Sequence, residues 1–255
     1  MRRVRVIPVL LLHKGGLVKS VKFKNYRYVG DPINAVKIFN EKEIDEIVVL
    51  DIDATREKRP VNMQQVKEIA GEAFIPLAYG GGISRIEEIM DLFYIGVEKV
   101  ILNDQAYRNP DLITETAKLV GSQSVVVSID VKKNLFGKNL VYVDNGGENT
   151  KLDPILYAKK MQDAGAGEIF LNSIDRDGTY AGFDLDLVEK MSGELSIPLI
   201  SCGGASGMED FSEAVNRGAS AVAAGSFFVF QRPHQAVLIS YPSQKELKQK
   251  LFEKI

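Results

Sequence analysis

The chain has little of what several protein classes require. One cysteine, Cys202, stands among 255 residues. No disulfide framework can be built from it, and a reducing cytoplasm is the expected setting. No apolar run approaches the roughly 20 residues of a membrane span. The start, Met1-Arg2-Arg3-Val4-Arg5, is basic and then apolar, but Pro8 interrupts the run and His13-Lys14 closes it. With no small-residue cleavage site behind it, this stretch is expected to be a first strand and not a secretory signal. Neither sign of charge dominates: 32 Lys and Arg face 34 Asp and Glu, for a net charge of −2. Bulk attraction to nucleic acid or an anionic membrane is thereby excluded, while a local phosphate site remains open. Low-complexity and linker segments are absent, and no metal or cofactor is expected.

What the chain does have is a repeat. Residues 31–104 and 153–226 align without a gap at an offset of 122. Asp31-Pro32 falls on Asp153-Pro154, Ile75-Pro76-Leu77 on Ile197-Pro198-Leu199, and Gly81-Gly82 on Gly203-Gly204. A repeat of this length means two half-domains of like structure. Half a closed sheet would leave unpaired edges, which favours one domain over 1–255 made of fused halves, about 1–120 and 121–240.

Short Val- and Ile-rich runs alternate with amphipathic ones. Strands are expected at 4–12, 46–52, 75–79, 99–103, 124–131, 168–174, 198–202 and 219–224. Helices are expected at 31–40, 62–71, 84–95, 111–120, 153–164, 184–192 and 208–217, with a last one at 243–253. Eight strand-helix units in about 250 residues predict an α/β fold, a (β/α)8 TIM barrel. A doubly wound open sheet is the alternative, but it would not normally be made of two equal halves. Two connections are long, 14–30 and 132–151, and by the repeat they are one loop in two copies. Each is expected to cover the barrel mouth as a lid or clamp, or else to be a tolerated insertion. A hairpin is expected around 140–144, and an irregular tail over 231–242.

Glycine-rich turns follow the third and seventh strands, at Gly80-Gly81-Gly82 and at Gly203-Gly204; Gly225-Ser226 follows the eighth. Such turns let backbone N–H groups approach an anion. Two at equivalent positions suggest a ligand with two anionic ends; alternatively the glycines only permit tight packing. Asp51, Asp53, Asp130, Asp175 and Asp177 fall at strand ends, where the mouth lies. Each can be a general acid or base, or a brace for its loop, and Asp130, directly after an apolar strand, has the strongest chemical claim. The symmetry fails at Asp130. The first and fifth strands align as Val9-Leu10-Leu11-Leu12 with Ser128-Ile129-Asp130-Val131, so its counterpart is Leu11. At the opposite strand ends stand Arg5, Glu46, Lys99 and Glu168. Parity places them on the same side of their strands as the mouth residues, so they can form a neutral ring across the barrel floor or be four unrelated ion pairs.

These runs together resemble the cyclase subunit of imidazole glycerol phosphate synthase. The resemblance covers nearly the whole chain. It rests on Arg5-Val6-Ile7-Pro8, Gly30-Asp31-Pro32, Tyr79-Gly80-Gly81-Gly82-Ile83, Gly121-Ser122-Gln123, Ser128-Ile129-Asp130 and Asp175-Arg176-Asp177-Gly178-Thr179. It implies a half-barrel duplication with two phosphate sites and a glutaminase subunit docked on the N-terminal face as a heterodimer. Ammonia would pass through the barrel to a phosphorylated small molecule at the other face. The resemblance further implies that Asp130 is a catalytic acid and Lys19 a loop lysine near substrate. It implies phosphate contacts at Gly82, Asn103, Gly178, Gly204 and Ser226, to which the turns add Gly81, Gly203 and Gly225 and the rim adds Asp177. Arg5, Glu46, Lys99 and Glu168 match the charged gate of an ammonia channel.

The departures cluster at the chemistry end. Leu11 stands where the family has its other catalytic aspartate, Asp104 where a threonine binds phosphate, and Asn172 and Cys202 where smaller hydroxyl residues stand. The expectation is a divergent branch, conducting ammonia toward a separate ATP-dependent ligase in nucleotide-sugar and lipopolysaccharide synthesis. The alternatives are an authentic cyclase of histidine biosynthesis and a non-catalytic scaffold that activates a glutaminase.

Overall fold

The structure is a computed structural model and describes residues 3–231, 234 and 236–255. The expected basic start and irregular tail therefore lie partly outside the described residues. Eight parallel strands follow one another around a closed sheet: β1 (Arg5–His13), β2 (Ile47–Asp51), β3 (Leu77–Gly80), β4 (Lys99–Leu102), β5 (Val125–Lys133), β6 (Glu168–Ser173), β7 (Leu199–Cys202) and β8 (Ala221–Ala224). Each pairs in parallel with the next, and β8 closes on β1. This is the (β/α)8 barrel expected from the repeat. The outer helices are α1 (Pro32–Asn40), α2 (Met63–Glu72), α3 (Ile86–Tyr94), α4 (Asp111–Val120), α5 (Pro154–Ala164), α6 (Leu185–Glu194), α7 (Met208–Asn216) and α8 (Gln244–Leu247). The last is shorter than expected: α8 is one turn that widens into a π-helical stretch at Lys248–Phe252.

The repeat is visible in how helices start. Asp31 caps α1 by accepting from Asn34 N, and Asp153 caps α5 by accepting from Ile155 N and Leu156 N; a proline follows each. Proline at the first helical position costs no hydrogen bond there. Asn62 and Asp184 cap α2 and α6 in the same way. Glu88 accepts from Ser84 N and Arg85 N above α3, and Asp210 accepts from Ser206 N and Gly207 N above α7. Each of these pairs lies 122 residues apart.

Two apolar cores result. One lies between sheet and helices. The other fills the barrel with Ile7, Val9, Val48, Ile101, Phe170 and Ile200 among its buried members. Alternation along the strands turns Arg5, Glu46, Lys99 and Glu168 into the same interior at one end, and Leu11, Asn103, Asp130 and Asn172 at the other.

The two long connections are ordered. β1 runs past the rim and returns as Gly16–Val21, which pairs with Lys24–Gly30 to form a hairpin. β5 does the same with Asn139–Val143, which pairs onward with Glu148–Asn149. Both reach the mouth, where Lys19, Ser20, Phe23 and Tyr26 of the first and Asn145 of the second line a cavity. They also touch, since Asn145 Nδ2 donates to Tyr26 OH at 3.2 Å, and the first hairpin is tied to the loop after β6 by Lys22 N, which donates to the Asp177 carbonyl at 3.0 Å.

Candidate functional site at the barrel mouth

A cavity of about 130 Å³ opens at the C-terminal ends of the strands. Its lining brings together Lys19, Gly81, Gly82, Asn103, Asp130, Asp177 and Gly225. Gly178, Gly203, Gly204 and Ser226 line a small adjoining recess, which shares Asp177, Cys202 and Gly225 with the cavity. The residues that the sequence assigns to substrate or catalysis at the mouth thus line two adjoining recesses, whereas Asp53 and Asp175 line neither.

Asp130 sits in the cavity wall at 8% exposure. Asn103 Nδ2 donates to its Oδ2 and Asn172 Nδ2 to its Oδ1, each at 3.2 Å. Burial raises the carboxyl to about 7. The Asn172 bond opposes that rise, nearby Asp177 adds to it, and the Asn103 bond opposes it. A carboxyl in that range can hold a proton near neutrality and give it up, as a general acid must. Burial also lifts Asp177 above the ordinary carboxylate range, against the Ser20 hydroxyl that donates to it at 3.0 Å. Lys19 is buried, and its Nζ donates to the Val9 carbonyl. Burial pulls this ammonium down to about 8, with Asp177 pulling the other way.

The strand register settles which residue is the counterpart of Asp130. On β5, Asp130 lies opposite Asn172 of β6; on β1, Leu11 lies opposite Leu50 of β2. Leu50 and Asn172 are 122 residues apart, so Leu11 occupies in the first half the place that Asp130 occupies in the second. The mouth has one carboxylate at that level where twofold symmetry would put two.

Asp51, Asp53 and Asp175 brace their own loops, and Asp177 lines the cavity. Asp51 accepts from Ala54 N and is paired with Arg59 at 2.8 Å. Asp53 accepts from Lys14 N and Asp175 from Lys133 N, both at 2.8 Å, so each holds the root of its own lid. The glycine turns carry a packing role as well. Gly81 and Gly203 have φ of 108° and 91°, and a Cβ on either would crowd a neighbouring backbone carbonyl, that of Asp51 or Ser173.

At the floor, the four charges form a closed ring. Arg5 reaches Glu46 at 2.6 Å and Glu168 at 2.7 Å; Lys99 reaches the same two carboxylates at 2.9 and 3.2 Å. Burial would depress Arg5, but the two glutamates outweigh it and leave its pKa raised. Between ring and mouth the barrel interior is apolar apart from Ser128. The sequence reading did not single out the amide pair around Asp130 as a unit. Its signal was available: Asn103 and Asn172 share strand parity with Lys99 and Glu168, four residues above them.

Among the described residues, no helix is long and apolar enough to cross a membrane. Residues 5–233 match the family model described as histidine biosynthesis protein. A Pseudomonas aeruginosa protein, provisionally named imidazole glycerol phosphate synthase subunit hisF2, is 51% identical over 248 residues, covering 97% of this chain and 99% of that protein. A Vibrio vulnificus protein, provisionally named subunit hisF3 of the same synthase, is 48% identical over 253 residues, covering 98% and 97%. The Alkaliphilus metalliredigens imidazole glycerol phosphate synthase subunit HisF is 40% identical over 250 residues, covering 98% and 96%.

Proposed function

This chain belongs to the family of histidine biosynthesis proteins, and from that premise we propose that it is the barrel subunit of a glutamine amidotransferase working in the cytoplasm. A glutaminase subunit docks on the N-terminal face. Ammonia released there crosses the floor ring and the apolar interior and reaches a phosphorylated ligand at the mouth. The nitrogen goes on, with a separate ATP-dependent ligase, into nucleotide-sugar and lipopolysaccharide synthesis.

One observation carries the reading: the floor ring is complete while Leu11 stands at the register-equivalent place of Asp130. A cyclisation that uses two facing carboxylates loses one, which costs on the order of 10²–10⁴ in rate. Conduction needs neither carboxylate. Neutral ammonia can cross the apolar interior between ring and mouth, whereas ammonium would leave an unpaired charge there. The ring must part for passage. Its four contacts share two acceptors, so a small shift of Lys99 opens a gap without stranding either glutamate, because Arg5 still holds both.

The test is glutamine-dependent product formation in the complex reconstituted with its glutaminase. Glu46→Ala and Lys99→Ala are expected to disconnect glutamine-derived from free ammonia, lowering the former while the latter persists. Unchanged glutamine-dependent formation in both variants refutes conduction.

An authentic cyclase of histidine biosynthesis is the second reading, and the retained Asp130 with its carboxyl near 7 favours it. A scaffold that only activates a glutaminase is the third. It would bind no phosphate, so phosphate bound at the glycine turns counts against it.

A further inference from the structure

The two halves offer unequal corners to a ligand. At the second-half corner Gly203, Gly204, Gly225 and Ser226 surround the recess. Lys19 lines the main cavity beside this recess, so close to Gly225 that a Cβ there would collide with the ammonium. Lys19 lies opposite Arg27 on the lid hairpin, and the Arg27 guanidinium sits 5.0 Å over the Phe230 ring, just past the short helix Ser226–Val229. This corner therefore has the Lys19 ammonium at its edge and the Arg27 guanidinium on the lid beside it, against the one carboxylate of Asp177 in its lining.

The first-half corner repeats the turns with Gly81, Gly82 and Asn103, but its charge is reversed. The repeat mate of Ser226 is Asp104, which lines the cavity. Arg108 Nε donates to Asp104 Oδ2 at 2.8 Å, and the same guanidinium is held by Glu148 at 2.6 Å. One cation between two carboxylates leaves the trio net negative. Asp104 Oδ1 is enclosed and has no donor among the described residues. Lys19 is the one Lys or Arg in the described cavity lining, and it serves the opposite corner. The Asp104 side chain is 11% exposed, so solvent screens its charge poorly.

We propose that the cavity takes a monophosphorylated ligand, with its phosphate at the Gly203, Gly204, Gly225 and Ser226 corner and a donor-bearing end, hydroxyl or amine, at Asp104. A second phosphate at Asp104 would meet a like charge in a poorly screened setting. A hydroxyl or ammonium there forms a charge-assisted hydrogen bond instead. The inference rests on the reading of the mouth as the ligand site and narrows the ligand class.

Titration of the full chain with inorganic phosphate, followed by calorimetry and 31P NMR, tests it. One phosphate per chain is expected. The monophosphate of one hexose should bind about tenfold or more tighter than its bisphosphate. Asp104→Ser, which gives the first corner the residue of the second, should raise the stoichiometry to two and favour the bisphosphate by about tenfold or more. Ser226→Asp should remove the remaining phosphate. Two phosphates on the wild-type chain, none at all, or an Asp104→Ser variant that folds and still binds one would each overturn the proposal. Should Asp104→Ser fail to fold, the wild-type stoichiometry and the hexose pair decide alone. None of these readouts involves ammonia, so failure of conduction and failure of the ligand assignment are told apart.

Discussion

Asp130 is buried among apolar strands, which favours its neutral form and outweighs the two amide donors that favour the charged one. Its folded pKa, raised from 3.8 to about 7, fixes the sign of its contribution to stability. Between those values the folded state binds the proton that the unfolded state has released, so this residue makes the protein less stable as pH rises through that window. Asp130→Asn removes the penalty. The variant should melt about 2–4 °C higher at pH 8 in a thermal scan, with a smaller difference at pH 4. Any reaction that needs Asp130 as an acid should fall in rate above about pH 7, and Asp130→Asn should lower it by about 10²–10⁴. A variant that is both less stable and fully active would show that the residue only braces the strand.

Asp130 also marks what was legible residue by residue. Its type and place after an apolar strand were plain in the sequence, as was the leucine opposite. Its two amide partners were not, because they come from β4 and β6 and meet only when the barrel closes. The strand-end aspartates were ambiguous for a related reason. A carboxylate at the rim looks the same in sequence whether it accepts from a lid backbone, as Asp53 and Asp175 do, or faces the cavity, as Asp130 does.

Helix starts and strand ends come in pairs 122 residues apart, and the pairs predict equal energetics. Glu88→Ala removes the acceptor for Ser84 N and Arg85 N, and Asp210→Ala that for Ser206 N and Gly207 N. Each should lower stability by about 1–2 kcal/mol, read as a shift of the urea midpoint at unchanged slope. A loss in one half only would show that the repeat has diverged in its packing as well as at its mouth. The barrel helices were legible because capping residues and apolar periodicity coincide at their starts. The last helix was overextended in the sequence reading: periodicity continues to 253, but the backbone widens at Lys248 into a π-helical stretch. The lids were legible as long loops and not fully as hairpins. The strands Gly16–Val21 and Lys24–Gly30 hold Gly, Lys and aromatics in no clean alternation, and their pairing carries register shifts.

The whole molecule is polar at two levels and apolar between them. Its floor is a neutral ring with Glu46 and Glu168 at 3% and 8% exposure. Removing one glutamate leaves two part-buried cations sharing a single carboxylate, which costs more than losing a surface pair would. Glu46→Ala should therefore destabilise the chain by about 2–4 kcal/mol in urea unfolding, while Glu46→Ala combined with Lys99→Met should recover part of that loss. Parity along the strands made the ring foreseeable; that each cation bridges both glutamates needed the closed barrel.

The central claim is a complete floor beneath a mouth that has lost one of two facing carboxylates. The most direct measurement supplies the purified chain with free ammonia and the ribulosyl-formimino substrate of imidazole glycerol phosphate synthase, which bypasses the glutaminase and the floor altogether. With Leu11 in place, the expected result is no imidazole glycerol phosphate above the uncatalysed background. Robust, saturable turnover that Asp130→Asn abolishes would contradict the account and identify the chain as a cyclase that works with a single aspartate.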